Sequence, residues 1–545
     1  MTDDLWVLTR TDWIVITLYL VAMLGLGVVL SRRQKSGTSF LVGDRRHGAV
    51  PVAISVLATQ CSTNSILGAP AFIAFSVGGG LVWLQYELAL PFAMIVVLLL
   101  LYPVFRRQQL TSIYSYLENR FDRSVRLALS GVFQLIRCLA TAVTLYGVAL
   151  LTGQITGLSF FWSVMLLGVF TLIYDYLGGI QGVIYSDVIQ MFILVTTLAG
   201  IAVLMIHEAD GILPLFEALS EERRQVLDFR HHGLGDGVDF AFWPMLVGGM
   251  LLYVSYYGCD QSQMQRLLAT KSVQSGQRAL LINGLFRFPL VALYCFLGVG
   301  LAYHSIQEPG FLGSLIASDG TLNLNLAVPA YMSVTLPSGV LGLGFVALFA
   351  AAMSSIDSVL NSLSAASLED FVKPRVKRPL SDAQTLIVAR VLTALWGILT
   401  LGFTFLVGDI ADTVIVAINK IGSLINGPIL GVFLLGLLTQ FVSGKGALFG
   451  LCLGLLMNVG FWLWVPSVSW LWWNLIGLVT TLAAGCLGSL PEIRWVGRDR
   501  VRRRWGRWGR RKGYLDGQSQ ILLGYGMLLI AALAMLNHVL LQPAV

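Results

Sequence analysis

Apolar residues in this chain come in uninterrupted runs of about 18 to 25, repeated along nearly its whole length. A helix rises 1.5 Å per residue, so about 20 such residues cross the roughly 30 Å hydrocarbon layer of a bilayer. A soluble fold needs apolar stripes with a wet face beside them, and these runs have none. Charged residues make up 12% of the chain, against roughly 25% in a soluble domain. The 545 residues therefore read as one all-α, polytopic membrane unit with no soluble domain attached.

About fourteen spans are predicted, near 13–30, 50–75, 81–103, 125–151, 159–177, 183–206, 242–262, 279–303, 339–367, 384–407, 412–438, 445–465, 468–489 and 518–541. The first follows Asp3 and Asp4 and precedes Arg32, Arg33 and Lys35. A signal peptide has the reverse polarity, so this is a retained span. Alternate loops carry the basic residues: Arg45 and Arg46, Arg106 and Arg107, Arg266 and Lys271, then Lys373, Arg375, Lys377 and Arg378. The longest loop of the opposite set, about 207–240, holds eight acidic residues against three arginines. Basic loops stay inside, which predicts a multi-pass protein of the cell (inner) membrane with both termini extracytoplasmic. The net charge of +7 is local, because ten basic residues crowd Arg494–Lys512 among Trp495, Trp505 and Trp508. Between two spans that pattern suits a membrane surface and its lipids better than nucleic acid. The six cysteines show no CxxC spacing, so neither a disulfide framework nor a zinc site is expected.

Polar groups inside spans are expensive, and each is a functional candidate. The second span carries Ala58-Thr59-Gln60-Cys61-Ser62-Thr63-Asn64-Ser65, then Gly68-Ala69-Pro70. This predicts a helix that unwinds at mid-membrane, tolerated only where backbone lines a cavity or binds something; a hydrogen-bonded seam between helices is the other reading. In the ninth span Ala351, Ser354, Ser355 and Ser358 share one helical face. Converging hydroxyl and carbonyl oxygens suit a small hard cation such as sodium, although serines can also bond back to their own helix. Gly178-Gly179-Ile180-Gln181-Gly182 predicts a tight turn before Ser186, Asp187 and Gln190; Asp187 either caps the next helix or handles a cation. Single charges stand at Glu87, Arg137, Arg287, Arg390 and Lys420, each a substrate contact, a snorkelling group or one of a pair.

These residues bring the chain close to a known group. Gly178-Gly179, Val183, Ser186-Asp187 and Gln190 follow the GGxxxVxxTDxxQ signature of the solute:sodium symporter family, with Ser for Thr. Thr111–Phe121, Asp260–Lys271 and Gly427-Pro428-Ile429-Leu430-Gly431 resemble further family segments in the right order, over about residues 10–465. The resemblance implies a leucine-transporter-type fold with a 5+5 inverted repeat. Residues 50–206 would form the first repeat and 242–438 the second. An extra helix and cytoplasmic loop (1–49), an extracytoplasmic loop (207–241) and peripheral C-terminal helices with an Arg-rich cytoplasmic loop (439–545, loop 490–515) would flank them.

Carried over by position, the resemblance implies sodium held by the carbonyls of Ala58, Cys61 and Ala351 and the hydroxyls of Ser354 and Ser355. A second sodium would lie near Asp187, Ser354, Asp357 and Ser358, where Asp357 departs from the usual Ser, Thr or Ala and can carry a proton instead. Substrate contacts would come from Ser62, Ser65, Glu87, Tyr253, Tyr256, Arg287 and Asn419. The implied activity is sodium-coupled symport, by alternating access, of a small polar solute, a monosaccharide or a sugar acid such as sialic acid. A monocarboxylate or vitamin-type anion, or proton coupling through Asp357 or Glu87, are the alternatives. An enzyme is not expected, since the six histidines form no catalytic or metal pattern, and neither a nucleic acid nor an obligate protein partner is implied.

Overall fold

A computed structural model of the protein describes residues 8–32, 34–316, 320, 322–406, 414–490 and 517–541, and of 414–419 the backbone alone. The Arg-rich stretch Arg494–Lys512 and the side chain of Asn419 lie outside the described residues. Regular structure among the described residues is helical, with three isolated β-bridges. Ten of the helices are long and apolar enough to cross a membrane, or eleven when one bent pair counts as a single span. That is fewer than the fourteen predicted, for two reasons. Phe160–Glu208 runs as a single 49-residue element, and Trp473–Ser489 and Gly249–Gly258 are short.

A continuous helix of that length would extend about 74 Å at 1.5 Å per residue, more than twice the hydrocarbon thickness. It is interrupted at Gly179, whose φ of 51° and ψ of −160° are not helical. A Cβ there would meet the Phe40 ring at 2.7 Å and its carbonyl oxygen at 2.9 Å, so glycine is required for both conformation and space. Helix resumes at once, which puts Asp187 well inside the second segment. Capping is thereby removed as an explanation for that carboxylate.

Burial separates core from periphery. In Val340–Arg375 the most apolar window is 83% buried, against 28% in both Arg10–Ser31 and Gly517–Leu540. The outer helices turn large apolar side chains such as Ile14, Leu18, Leu528 and Met535 outward, as lipid-facing helices do. The serine-bearing helix Val340–Ala366 runs through the middle. Against it lies the bent pair Ala49–Gln60 and Thr63–Ala74, angled at 57°.

A second interruption resembles the first. Gly249–Gly258 ends at Cys259, Asp260 is extended (φ −102°, ψ 127°), and Gln261–Leu268 continues as a short helix. The ends of the two broken helices are tied to each other. His47 N–H donates to the Ala269 carbonyl at 3.2 Å, and Lys271 N–H donates to the His47 carbonyl at 3.0 Å.

Candidate functional site

The first break is two residues wide. Cys61 has φ −83° and ψ 66°, Ser62 is extended at φ −75° and ψ 164°, and helical bonding resumes from the Ser62 carbonyl to Ser65 N–H at 2.9 Å. It is narrower than the predicted polar stretch, and Thr63–Ala74 stays helical through Pro70. Thr63 fixes the second half-helix by donating to the Leu348 carbonyl at 2.9 Å.

Facing this break are the serines expected to bind sodium. Ser354 Oγ lies 3.0 Å from the Ala351 carbonyl oxygen and 3.4 Å from that of Ala58. Ser355 Oγ lies 3.2 Å from the Ala351 oxygen and 3.4 Å from that of Thr59. Five oxygens from two helices thus gather at the end of an interrupted helix, all uncharged. Cys61 is fully buried at the break beside them. A helix C-terminus with unpaired carbonyls carries partial negative charge, so the cluster is a donor set for a cation that prefers oxygen.

One turn further along the serine helix the composition changes. Asp187, Asp357 and Ser358, expected around a second sodium, do come together, but with an arginine among them. Arg266, 1% exposed, donates from Nε to Ser55 Oγ at 2.7 Å and from Nη2 to Ser358 Oγ. Its Nε lies 3.7 Å from Asp187 Oδ2, and Ser55 Oγ donates to the same carboxylate oxygen at 2.5 Å. Asp357 accepts from the Tyr174 hydroxyl and, at 3.0 Å, from Ser358. Sequence reasoning counted Arg266 as a loop charge; the short helix Gln261–Leu268 instead carries it into the core.

Above the serines opens a cavity of about 160 Å³. Its wall includes Ser62, Ser65, Glu87, Tyr253, Tyr256 and Arg287, six of the seven expected substrate contacts, and also Thr59, Arg137 and Ser355. Glu87 accepts from the Tyr253 hydroxyl at 3.0 Å and from Arg287 Nε at 3.4 Å. Arg287 is 4% exposed and its Nη1 has no hydrogen-bond partner. Arg137 donates to Asp260 at 2.5 Å, and its guanidinium stacks 4.9 Å from the centre of the Tyr256 ring. Tyr256 is thus held by a cation on one side, and its hydroxyl accepts from Gln263 at 2.8 Å. Lys420 sits over Trp473 at 5.9 Å and is not part of this wall. The wall therefore carries two guanidiniums against one carboxylate, with Asp260 behind one of them.

Known proteins are similar to this chain in sequence and in fold. The family model described as Sodium:solute symporter family matches residues 40–454. The sodium-dependent multivitamin transporter of Oryctolagus cuniculus is 31% identical over 505 residues, covering 88% of this chain and 73% of that protein. The sodium/iodide cotransporter of Homo sapiens is 30% identical, covering 83% and 69% respectively. The human sodium-coupled monocarboxylate transporter 1 is 29% identical, covering 83% and 73%. Among solved structures, a Na+-coupled sialic acid symporter in a substrate-bound outward-open state superposes with a TM-score of 0.77. It is 25% identical and covers 88% of this chain and 98% of that one.

Proposed function

The chain belongs to the sodium:solute symporter family and is a multi-pass membrane transporter, not an enzyme, that couples a solute to sodium; from that premise we propose that the solute is a small organic anion bearing one carboxylate. The observation that carries this is Arg287 in the cavity wall, which meets Glu87 through Nε at 3.4 Å and leaves its buried Nη1 without a hydrogen-bond partner. A buried guanidinium with a free Nη1 in low dielectric is a strong receptor for a carboxylate oxygen. The carboxylate of a sugar acid or a monocarboxylate gives that Nη1 a charge-assisted partner, which a neutral monosaccharide does not. Among the similar proteins, those named for iodide, monocarboxylate and sialic acid are named for anions or acids.

Sodium is the cotransported ion. Its site is the set Ala58, Cys61, Ala351, Ser354 and Ser355, on the strength of the converging uncharged oxygens. Asp187, Asp357 and Ser358 form a second polar level in which Arg266 supplies a permanent cation. The matched breaks at Cys61–Ser62 and Cys259–Asp260 support two five-helix repeats, 50–206 and 242–438. With Phe160–Glu208 divided at Gly179 and the shorter helices counted, the chain crosses fourteen times, with both termini outside. Sodium between the broken helix and the serine helix fixes the break, raises solute affinity by linkage, and lets the cavity open alternately to each side. Each sodium charge moving inward gains about 2.3 kcal/mol per 100 mV.

Proteoliposomes under an inward sodium gradient, offered labelled sugar acids, short monocarboxylates and neutral monosaccharides, test the class. Carboxylates should accumulate and neutral sugars should not. Arg287→Met should raise the half-saturating carboxylate concentration by about 10- to 100-fold, the worth of a hydrogen bond to a charged group. Accumulation of a neutral sugar, indifferent to Arg287, would overturn the anion assignment.

A further inference from the structure

Two of the segments that resemble family motifs, Thr111–Phe121 and Asp260–Lys271, touch each other, and they touch at the second break. Gln261 closes a two-point clamp on the first of them. Its amide nitrogen donates to the Thr111 carbonyl at 2.6 Å, and its amide oxygen accepts from Ile113 N–H at 3.0 Å. The Tyr114 hydroxyl lies 3.4 Å from the Cys259 carbonyl oxygen. Between these two residues, Asp260 accepts from Arg137 at 2.5 Å. All three residues of the interruption are therefore held by one stretch of chain, the loop before Arg123–Thr156 and that helix itself.

That stretch is anchored elsewhere. Ser112, Ser130 and Arg126 donate to the fully buried Asp370, near the end of Val340–Arg375, at 2.7 to 2.8 Å. Arg120 donates to the carbonyls of Gly436, Thr439 and Val442 at 3.0 to 3.3 Å, around the end of Val414–Leu438. The half-helix Gln261–Leu268 is tied to other partners. Backbone bonds between Ala269, Lys271 and His47 join it to the first broken helix, and Arg106 donates to the Thr270 carbonyl at 2.8 Å. The contacts at Cys259–Gln261 thus cross between two separately anchored groups of helices. Arg266 crosses as well, to Ser358 and Asp187, from more than a turn further on.

The break also floors the cavity. Tyr256 and Ser262, on either side of it, and Arg137 are in the cavity wall, with Cys259, Asp260 and Gln261 behind them. Cys259 is 2% exposed and Gln261 fully buried. From there the half-helix leads to Lys271 and His47, next to Arg45 and Arg46, on the side of the basic loops.

We infer that Cys259–Gln261 is the gate between the solute cavity and that side of the protein, and that Asp260 and Gln261 hold it shut. It rests on the symporter reading above for the cycle in which the gate opens. Arg137 and Asp260 keep 21% and 12% of their side chains exposed, and the Gln261 clamp is neutral. Neither tie leaves a deeply buried charge alone when it parts, so both can be remade in every cycle. The charge-assisted pair is the stronger of the two. Asp260 also caps Gln261–Leu268, accepting from Ser262 N–H at 2.8 Å. Asparagine caps a helix as well as aspartate does, so Asp260→Asn removes the charge and keeps the cap.

The native Cys259 reports on the gate. Purified protein without solute is treated with a charged maleimide, and labelling at each cysteine is followed by peptide mass spectrometry. Cys259 should react slowly in the wild type. Asp260→Asn should speed it by about 10-fold and Gln261→Ala by about 3-fold, the worth of a charged and a neutral hydrogen bond. The buried Cys138 and Cys295 should stay as slow as in the wild type, and Asp260→Glu should return Cys259 toward the wild-type rate.

A Cys259 rate indifferent to both Asp260→Asn and Gln261→Ala would overturn the gate. So would a rise shared by Cys138 and Cys295 in both variants, because the contacts would then be general packing. Sodium-driven uptake in proteoliposomes separates this from the reading it rests on. Faster labelling confined to Cys259 in Asp260→Asn, in a protein whose wild type takes up no solute under a sodium gradient, would overturn the symporter reading and leave the gate standing.

Discussion

At Ala351–Ser355 the serine helix meets the first broken helix through neutral oxygens only, whereas at Asp357–Asn361, a turn along, it meets carboxylates and a guanidinium. The first level is satisfied without an ion, because each serine hydroxyl can bond to the Ala351 carbonyl of its own helix. Such bonds are weak and easily traded, so a cation can arrive and leave at small cost. At the second level Arg266 is already in place, bridging Asp187, Ser55 and Ser358. A charge held there by covalent attachment to the chain cannot leave. On the proposed reading the contrast divides the labour: neutral oxygens suit the travelling ion, and the charged cluster holds the helices together.

The largest effect that would break this division is on stability. Arg266→Met leaves Asp187 buried without its counter-charge, and should cost about 3–5 kcal/mol in sodium-free thermal unfolding. Adding Asp187→Asn should recover much of that loss, and an unchanged midpoint in Arg266→Met would remove the charged level's structural role. Next in size is the effect of sodium itself. At about 100 times its dissociation constant sodium should stabilise the protein by about 2.7 kcal/mol. Replacing sodium with choline should remove that gain, and Ser354→Ala with Ser355→Ala should never show it. The smallest effect sharpens the contrast most: without sodium the same double substitution should cost under about 1 kcal/mol, since neither hydroxyl anchors a charge.

How much of this is visible in the sequence depends on how local each feature is. The unwound stretch around Cys61 and the hydroxyl face of Ala351, Ser354, Ser355 and Ser358 follow from interruption and from a period of 3.6 residues, both readable within one segment. Six residues expected as substrate contacts line the cavity, and their positions were carried over from a family pattern. Arg266 was missed because a short helix after a second break carries a residue that looks like a loop charge deep into the core. Asp175, fully buried near Asp357, did carry a signal, a lone carboxylate inside an apolar run, the same signal that marked Glu87. What sequence could not supply was its neighbours: Asp357 and Tyr174 are 183 positions apart. The span count differed because apolar runs reveal neither that Gly179 interrupts one element nor that Trp473–Ser489 stops at 17 residues.

The sodium site itself is tested most directly by equilibrium binding of radioactive sodium to the purified protein, without solute, in the wild type, in Ser354→Ala with Ser355→Ala, and in Asp357→Asn. Saturable binding in the wild type, weakened on the order of 100-fold or more in the double serine variant and retained in Asp357→Asn, is the expected result. Sodium binding that survives loss of both serines and disappears with Asp357 would contradict it, and would move the travelling ion to the charged level.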